Sequence, residues 1–233
     1  MPSQTKRAVR TKSSPLAATG VERVAELVSA LRGQIASNAL PPSAPLREEA
    51  LAQAFGTSRG NVREALSSLE QRGLVERIPN VGARVAPLDI ETVVHTYQVR
   101  EVLEGLCIRL ATQNSRPADW KPLQARFERA RKAFEAKGNV DDYLACIDEF
   151  RQLTMELAGN PVLRHFLETM LDRTRMIIRR IAILPGRPAQ GLGEHAMIVA
   201  AMMAGDADRA EALAQANIRS ARETMLRYKD FLL

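Results

Sequence analysis

Between residues 74 and 85 the chain leaves its helical periodicity for a strand pattern, and no second stretch of this kind follows. Residues 74–78 favour a strand, residues 79–82 a tight turn, and residues 83–85 a returning strand. Helical patterns precede this hairpin, and only helical patterns follow it from residue 90 onward. The sequence therefore predicts a mainly α chain with one small β-hairpin placed between two helical regions.

The region before the hairpin contains three predicted helices. The first carries an apolar face over residues 21–35 and ends before a Pro-Pro pair. A short helix over residues 47–55 ends at Gly56, and Ser58 caps a longer helix that runs to about residue 72. A short helix, a glycine-containing turn and a longer helix are typical of a helix-turn-helix, which the hairpin would complete as a wing.

The segments after the hairpin predict an all-α bundle, because proline and glycine interrupt the apolar periodicity at regular intervals. The predicted helices span residues 90–113, 118–137, 140–158, 161–184, 189–204 and 206–230. We therefore divide the chain into a disordered basic arm (1–15), a winged helix-turn-helix domain (16–86), a linker (87–90) and an all-helical domain (91–233).

The composition limits the partners and the compartment. The formal net charge is +6 and aromatic residues make up 4%, which favours duplex nucleic acid over single strands held by stacking. No signal peptide or membrane-spanning run is evident, so we expect a cytoplasmic protein that does not contact the membrane. Cys107 and Cys146 lie in apolar helical patterns and are expected to be buried free thiols. No nucleophile–base motif or phosphate loop indicates an enzyme.

The start of the third helix carries the residues best suited to read DNA. Arg59 and Arg63 are four residues apart, beside the apolar stripe, and could reach the major groove together. The alternative is an amphipathic helix with a solvated charged face, and the spacing alone does not decide between the two. Gly82 at the wing tip would allow close approach of the backbone to a sugar-phosphate.

Residues 46–52, 55–66, 69–75 and 79–85 resemble the GntR family of bacterial regulators. The resemblance implies DNA contacts from Ser58, Arg59, Arg63 and Gly82, and we add Arg47 at the start of the short helix. Asn61 departs from the family pattern, and an Asn at this position could pair with adenine. The resemblance implies a regulator, which we expect to be a repressor that binds an inverted repeat of operator DNA as a homodimer.

The helical half resembles the FCD-type effector domain of the FadR subfamily, through residues 99–104, 158–161, 194–198 and 205–206. Many such domains hold a divalent metal with one Asp and three His. The corresponding positions here carry Ile147, Arg151, His195 and Asn217. Because one ligand of four remains, we expect no metal and no other cofactor.

These positions instead predict a site for a small carboxylate effector. Arg151 would anchor the acid, with Arg100, His195 and Asn217 as further contacts. Each residue has a structural alternative: Arg100 could pair with Glu104, His195 could be a core histidine, and Arg151 could turn to solvent or pair with a nearby glutamate. The helical half could also serve only for dimerisation, or bind a ligand that is not an acid.

Overall fold

The amino-terminal domain consists of helices and a small antiparallel sheet in the computed structural model, which describes residues 20–79, 81–87 and 89–229. Its elements are α1 (Gly20–Ala36), β1 (Pro45–Leu46), α2 (Glu48–Ala54), α3 (Arg59–Gln71), β2 (Val75–Ile78) and β3 (Gly82–Val85). The mainly α fold with an amino-terminal helix-turn-helix is confirmed. The predicted basic arm, residues 1–15, lies outside the described residues.

The sheet differs from the predicted two-stranded hairpin, because β1 joins it as a third strand. The strand order is β1-β3-β2, and Pro45 and Leu46 pair antiparallel with Arg84 and Ala83. A two-residue strand is too short to show an alternating pattern, and its partner lies far along the sequence. The extra strand anchors the wing to the residues that precede α2.

The predicted helix boundaries around the helix-turn-helix agree with the structure because the capping residues are where the sequence places them. The Ser58 hydroxyl accepts a hydrogen bond from the backbone N–H of Asn61 at 3.2 Å. Gly56 has φ of 59°, a left-handed conformation that suits glycine in the turn between α2 and α3. Leu31 of α1 and Val62 and Leu69 of α3 are fully buried, and the partly buried Leu51 of α2 packs against the same core.

The helical domain begins with a capped helix, because the Asp89 carboxylate accepts a hydrogen bond from the N–H of Thr92 at 2.9 Å. Its helices are α4 (Ile90–Asn114), α5 (Pro117–Lys137), α6 (Asp141–Ala158), α7 (Pro161–Ala182), α8 (Arg187–Met203) and α9 (Ala207–Arg227). Helix α8 begins earlier than the predicted residue 189. Pro188 lies in its first turn, where a missing N–H costs no hydrogen bond.

Helix α4 packs along α9 and α6, and α5 packs on α8, so that the bundle closes around a core that includes Trp120 and Tyr143. Cys107 and Cys146 are buried free thiols, as predicted. None of the helices in the described ranges is long and apolar enough to cross a membrane.

Gly191 makes the closest approach in this core, and its substitution gives a stability prediction. A Cβ atom at Gly191 would lie 1.9 Å from Oη of the buried Tyr143. We expect Gly191→Ala to destabilise the protein by about 1–3 kcal/mol, because the buried ring must move. Gly193→Ala in the same helix meets no atom within 4 Å and should stabilise by up to about 1 kcal/mol. Urea unfolding that gives both variants the same midpoint would contradict this packing.

Candidate functional site

A basic groove lies between α2, the start of α3 and the wing. Four arginines line it, two of which the sequence analysis singled out (Arg47 and Arg59) and two of which it missed (Arg77 and Arg84). Arg59 is exposed and makes no ion pair with any described residue. Gly82 is exposed at the wing, with φ of 119° and open space around its Cα. This groove has the charge and the shape to hold a DNA backbone.

Arg63 was expected to reach the major groove together with Arg59, but it does not project freely beside it. Its Nε and Nη2 donate to the two carboxylate oxygens of Glu48 at 3.2 and 2.9 Å, which ties α3 to α2. This hydrogen bonding, more than the accompanying charge attraction, lowers the pKa of Glu48. The two residues are fifteen positions apart on different helices, so helical periodicity could not reveal the pair. Arg63 is still exposed, but two of its donor groups are bound to an acidic neighbour.

The main role of Asn61 and Ser58 in the structure is to stabilise the amino-terminal end of α3. The Asn61 side-chain amide donates to the Thr57 hydroxyl at 2.9 Å, and its backbone N–H donates to Ser58. Pairing of Asn61 with adenine would require it to release Thr57. Both residues therefore order the helix terminus that faces the groove, and the free N–H groups of that terminus favour a phosphate.

The two arginines that sequence reasoning missed lie on the hairpin strands. Arg77 donates to the backbone carbonyl of Arg63 at 3.2 Å and forms an ion pair with Glu70 at 3.1 Å, while Arg84 pairs with Glu76. The presence of one basic residue on each predicted strand of the wing could have indicated these two arginines.

A second candidate site lies inside the helical domain, where two adjoining cavities share Arg151, His195 and Asn217. Each has a volume of about 30 Å³, and the larger and the smaller one span about 480 and 360 Å³ only when the adjoining space open to solvent is included. Arg100 lines the smaller cavity, so the four predicted effector residues lie around one space. The larger cavity has an apolar side, formed by Ile108, Phe150, Met155, Leu167, Leu171 and Ile198. A ligand there would meet cations at one end and hydrocarbon at the other.

Arg100 is fully buried on α4 and forms the ion pair with Glu104 that the sequence analysis considered as its alternative. Its Nε and Nη2 lie 2.7 and 2.6 Å from Oε1 of Glu104, and its guanidinium lies 4.5 Å from the centre of the Tyr97 ring. The pairing does not use the whole group, because Nη1 is buried without a hydrogen-bond partner. Arg100 thus has a structural partner and a spare donor.

Arg151 points into the domain and does not turn to solvent. Its only ion pair with a described residue is to Asp148, at 4.0 Å, and that carboxylate is 63% exposed. Glu149 pairs with Arg126 instead. Burial lowers the pKa of Arg151; the charge of Glu104 opposes this effect, and that of Arg100 adds to it. Glu104 is near enough to act on Arg151, but its carboxylate is already paired with Arg100.

His195 is a buried ring in an aromatic environment. It stacks on Phe127 with centroids 5.2 Å apart, and Phe150 and Tyr143 approach it edge-on. Burial lowers the pKa of His195 to about 4, so that the ring is neutral at physiological pH. His195 is therefore a core residue that also lines both cavities. Its contact with an effector stays a prediction.

Arg187 adds to the polar lining of the smaller cavity and pairs with Glu194 beside it, and the sequence analysis missed both residues. Arg187 is buried and donates to Glu194 at 2.7 Å; the Asn217 amide donates to the same carboxylate oxygen at 2.6 Å. Around the cavities, the guanidinium groups of residues 100, 151 and 187 form ion pairs with the described carboxylates of residues 104, 148 and 194, respectively. Among these described pairs, that of Arg151 is the longest, at 4.0 Å, and its carboxylate is 63% exposed.

The four positions that correspond to a metal site in related domains do not fit a metal here. Ile147 is buried and offers no donor atom, Arg151 is cationic, and the Asn217 amide is bound to Glu194. Among the described residues, no three His, Cys, Asp or Glu side chains form a group that could hold a metal. The absence of a bound metal stays a prediction.

Comparisons with known proteins agree with this two-part layout. Residues 23–85 match the family described as bacterial regulatory proteins, gntR family, and residues 95–220 match the FCD domain. The chain is 31% identical to a probable D-xylose utilization operon transcriptional repressor of Paenarthrobacter nicotinovorans, over 76% of this chain and 77% of that protein. It is 27% identical to the transcriptional repressor RspR of Escherichia coli, over 78% and 79% of the two chains.

Solved structures show the same fold. Escherichia coli McbR/YncC superposes with a TM-score of 0.74, 22% sequence identity, and coverage of 90% of this chain and 98% of that chain. A putative GntR transcriptional regulator from a Rhodococcus species gives a TM-score of 0.68 at 19% identity, with 88% and 97% covered. The relatives found by sequence are transcriptional regulators, not enzymes.

Proposed function

The chain belongs to the gntR family and is a DNA-binding transcriptional regulator with an FCD domain, and we propose that a small organic acid bound in its helical domain controls its binding to operator DNA. We further propose that it is a repressor, since two of its relatives carry that name. The acid would lie in the paired cavities, with Arg151 as the anchor of its carboxylate.

The observation that carries this proposal is the long ion pair of Arg151 with an exposed carboxylate. The largely buried Arg151 has only the distant, exposed Asp148 as its described ion-pair partner, and a bound carboxylate would give it a closer one. A planar carboxylate can accept two parallel hydrogen bonds from the guanidinium fork, which fixes the orientation of the acid. The apolar side of the larger cavity would take up the carbon chain.

The cavity and the DNA-binding domain share structural elements, which gives the acid a route to the operator. Helix α7 lines both cavities and packs against α1. Arg180 of α7 donates a hydrogen bond to the Asn38 side chain, just after α1, at 3.2 Å. Helix α4, which carries Arg100 and Glu104, begins at the linker to the wing. An acid that moves α4 or α7 would therefore change the position of the DNA-binding domain.

A thermal-shift screen tests this proposal against a helical domain that only dimerises. We expect at least one member of a panel containing pentanoate, 2-hydroxypentanoate, benzoate and pentanedioate to raise the melting temperature in proportion to the logarithm of its concentration. The corresponding methyl esters, which lack the negative charge, should not do so. A panel without any such shift would favour the second candidate function, a domain for dimerisation alone.

We also propose that the protein is a homodimer joined through an exposed apolar surface. Val99, Val102 and Leu106 of α4 and Val162 and Phe166 of α7 are exposed large apolar side chains, here called the α4–α7 patch. The two helices run antiparallel, since Asn114 at the end of α4 donates to the Ala158 carbonyl just before α7 begins. A second copy is the favoured occupant, because two wings related by a twofold axis would read both halves of an inverted repeat.

Val102→Asp is expected to raise the Kd of dimerisation at least about 100-fold, because an isologous contact would bury the new carboxylate in both copies. Val102 is 61% exposed in the single chain, so its replacement should leave folding intact. Val21→Asp makes the same change at a 78% exposed position on α1 and should leave the dimer unchanged. Analytical ultracentrifugation measures both, and an unchanged Kd for Val102→Asp would contradict the assigned surface.

A further inference from the structure

A cleft of about 300 Å³ lies where the DNA-binding domain meets the helical domain. The end of α1 and the strands β2 and β3 form its walls on one side, and α4, α7 and the linker form those on the other. Each of the two cavities inside the helical domain, by comparison, has a volume of about 30 Å³. Because an apolar cavity of about 150 Å³ already takes up benzene, this cleft has room for a molecule of two fused rings.

The buried part of the lining is apolar and comes from both domains. Its members are Ile35, Leu74, Val75 and Val85 of the DNA-binding domain and Val93 of the helical domain. A hydrocarbon placed between them would contact both domains at once and lose its contact with water. Small molecules bind preferentially in clefts of this size and lining at the junction of two domains.

The charged groups of the cleft disfavour a charged ligand. None of the described residues that line it is a lysine, arginine or histidine, which an anion would need as its partner. The two carboxylates are already engaged, since Asp89 caps α4 and Glu76 pairs with Arg84. A cation beside Asp89 would also meet the positive end of the α4 helix dipole. The cleft therefore favours an uncharged molecule.

Three threonine hydroxyls decide which polar group an uncharged molecule should carry. Oγ1 of Thr92 donates to the Asp89 carboxylate. Oγ1 of Thr96 donates to the carbonyl of Thr92 at 2.7 Å, and Oγ1 of the buried Thr174 donates to the carbonyl of Met170 at 3.0 Å. Each hydroxyl proton is thus used within the chain, while each oxygen keeps lone pairs. A ligand can form a hydrogen bond with these oxygens only by donating.

We propose that the cleft between the two domains is a ligand site of its own, which takes an uncharged, largely apolar molecule that carries a hydroxyl. The hydrocarbon part lies against the buried apolar side chains of both domains, and the hydroxyl donates to a threonine oxygen. This ligand differs in charge from the acid proposed for the helical domain, so the two sites select different molecules. The inference does not depend on the acid.

Three naphthalene derivatives of similar size test this proposal on the wild-type protein. Calorimetry at neutral pH with 2-naphthol, 2-methoxynaphthalene and 2-naphthylmethylamine compares a neutral donor, a neutral acceptor and a cation. We expect 2-naphthol to bind at least about fivefold more tightly than 2-methoxynaphthalene and at least about 30-fold more tightly than the amine. If 2-naphthol does not bind, or binds no more tightly than the other two, the proposal is overturned and the acid site still stands.

Thr96→Phe locates the binding of 2-naphthol, because the larger side chain fills part of the cleft. We expect this variant to bind 2-naphthol at least about tenfold more weakly, since the ligand loses the space that it occupies. Thr224 of α9 makes the same kind of hydrogen bond, to the carbonyl of Ser220, and lies outside the cleft. Thr224→Phe should therefore bind 2-naphthol like the wild type. Equal affinity of the two variants would place the ligand elsewhere and overturn the proposal.

Thr96→Cys tests the same position with a smaller change, should Thr96→Phe fail to fold. Cys107 and Cys146 are buried, so alkylation by a maleimide reports on the new thiol. With 2-naphthol at about ten times its Kd, the alkylation should slow about tenfold, because the ligand occupies the cleft for most of the time. The rate in Thr224→Cys should not change. A thiol at position 96 that 2-naphthol leaves unprotected would contradict the assigned site.

Discussion

Arg59→Ala is expected to weaken binding to operator DNA by about 5- to 150-fold, which corresponds to about 1–3 kcal/mol for an arginine that reads a base. Arg59 is the basic residue at the start of α3 that makes no ion pair with a described residue, so its whole guanidinium is available to a guanine edge or a phosphate. Arg63, by contrast, must share its guanidinium with Glu48.

The measurement is fluorescence anisotropy with a duplex selected by the protein from a random-sequence pool, at one fixed salt concentration. Arg116→Ala is the matched control, since it removes the same charge from an 84% exposed side chain on the helical domain. We expect the control to bind DNA like the wild type. If Arg59→Ala and Arg116→Ala bind with the same affinity, the basic groove is not the surface that reads the operator.

Arg151→Met is expected to lower the affinity for the tightest acid of the thermal screen at least about 30-fold, because the acid loses its charged partner in a buried site. The same variant should unfold at a higher temperature than the wild type when no acid is present. Methionine fills a similar volume and removes a largely buried charge whose described ion-pair partner, Asp148, is 4.0 Å away and 63% exposed. An arginine with a purely structural role would give the opposite change in stability.

Arg126→Met provides the control for this variant. Arg126 pairs with Glu149 near the surface and lies outside both cavities. Its replacement should change neither the affinity for the acid nor the melting temperature by much, as expected for an exposed ion pair. Calorimetry that gives the same acid affinity for Arg151→Met and the wild type would remove Arg151 from the site.

The features that sequence predicted well are those determined by neighbouring residues. The Ser58 cap and the possible i,i+4 pair of Arg100 with Glu104 depend on residues within one helical turn. The positions of Arg151 and His195 in the bundle followed from the resemblance to the FCD family. In each case the information lies in a short stretch of chain or in a family pattern.

The features that sequence missed depend on contacts between distant segments. Strand β1 forms only because Pro45 and Leu46 meet β3, and Arg63 pairs with Glu48 only because α2 and α3 cross. Arg187 was assigned to a loop, since the prolines beside it suggested a break. Its ion pair with Glu194 spans about two helical turns and therefore depends on Arg187 being part of α8.

The measurement that most directly tests the account is a titration of the protein–operator complex with the acid, followed by anisotropy of the labelled DNA. If the acid and the operator are coupled through α4 and α7, saturating acid should change the operator Kd by about 5- to 150-fold, and the operator should change the acid Kd by the same factor. For a repressor released by its effector, both affinities should fall. An acid that binds the helical domain tightly and leaves the operator Kd unchanged would contradict the account.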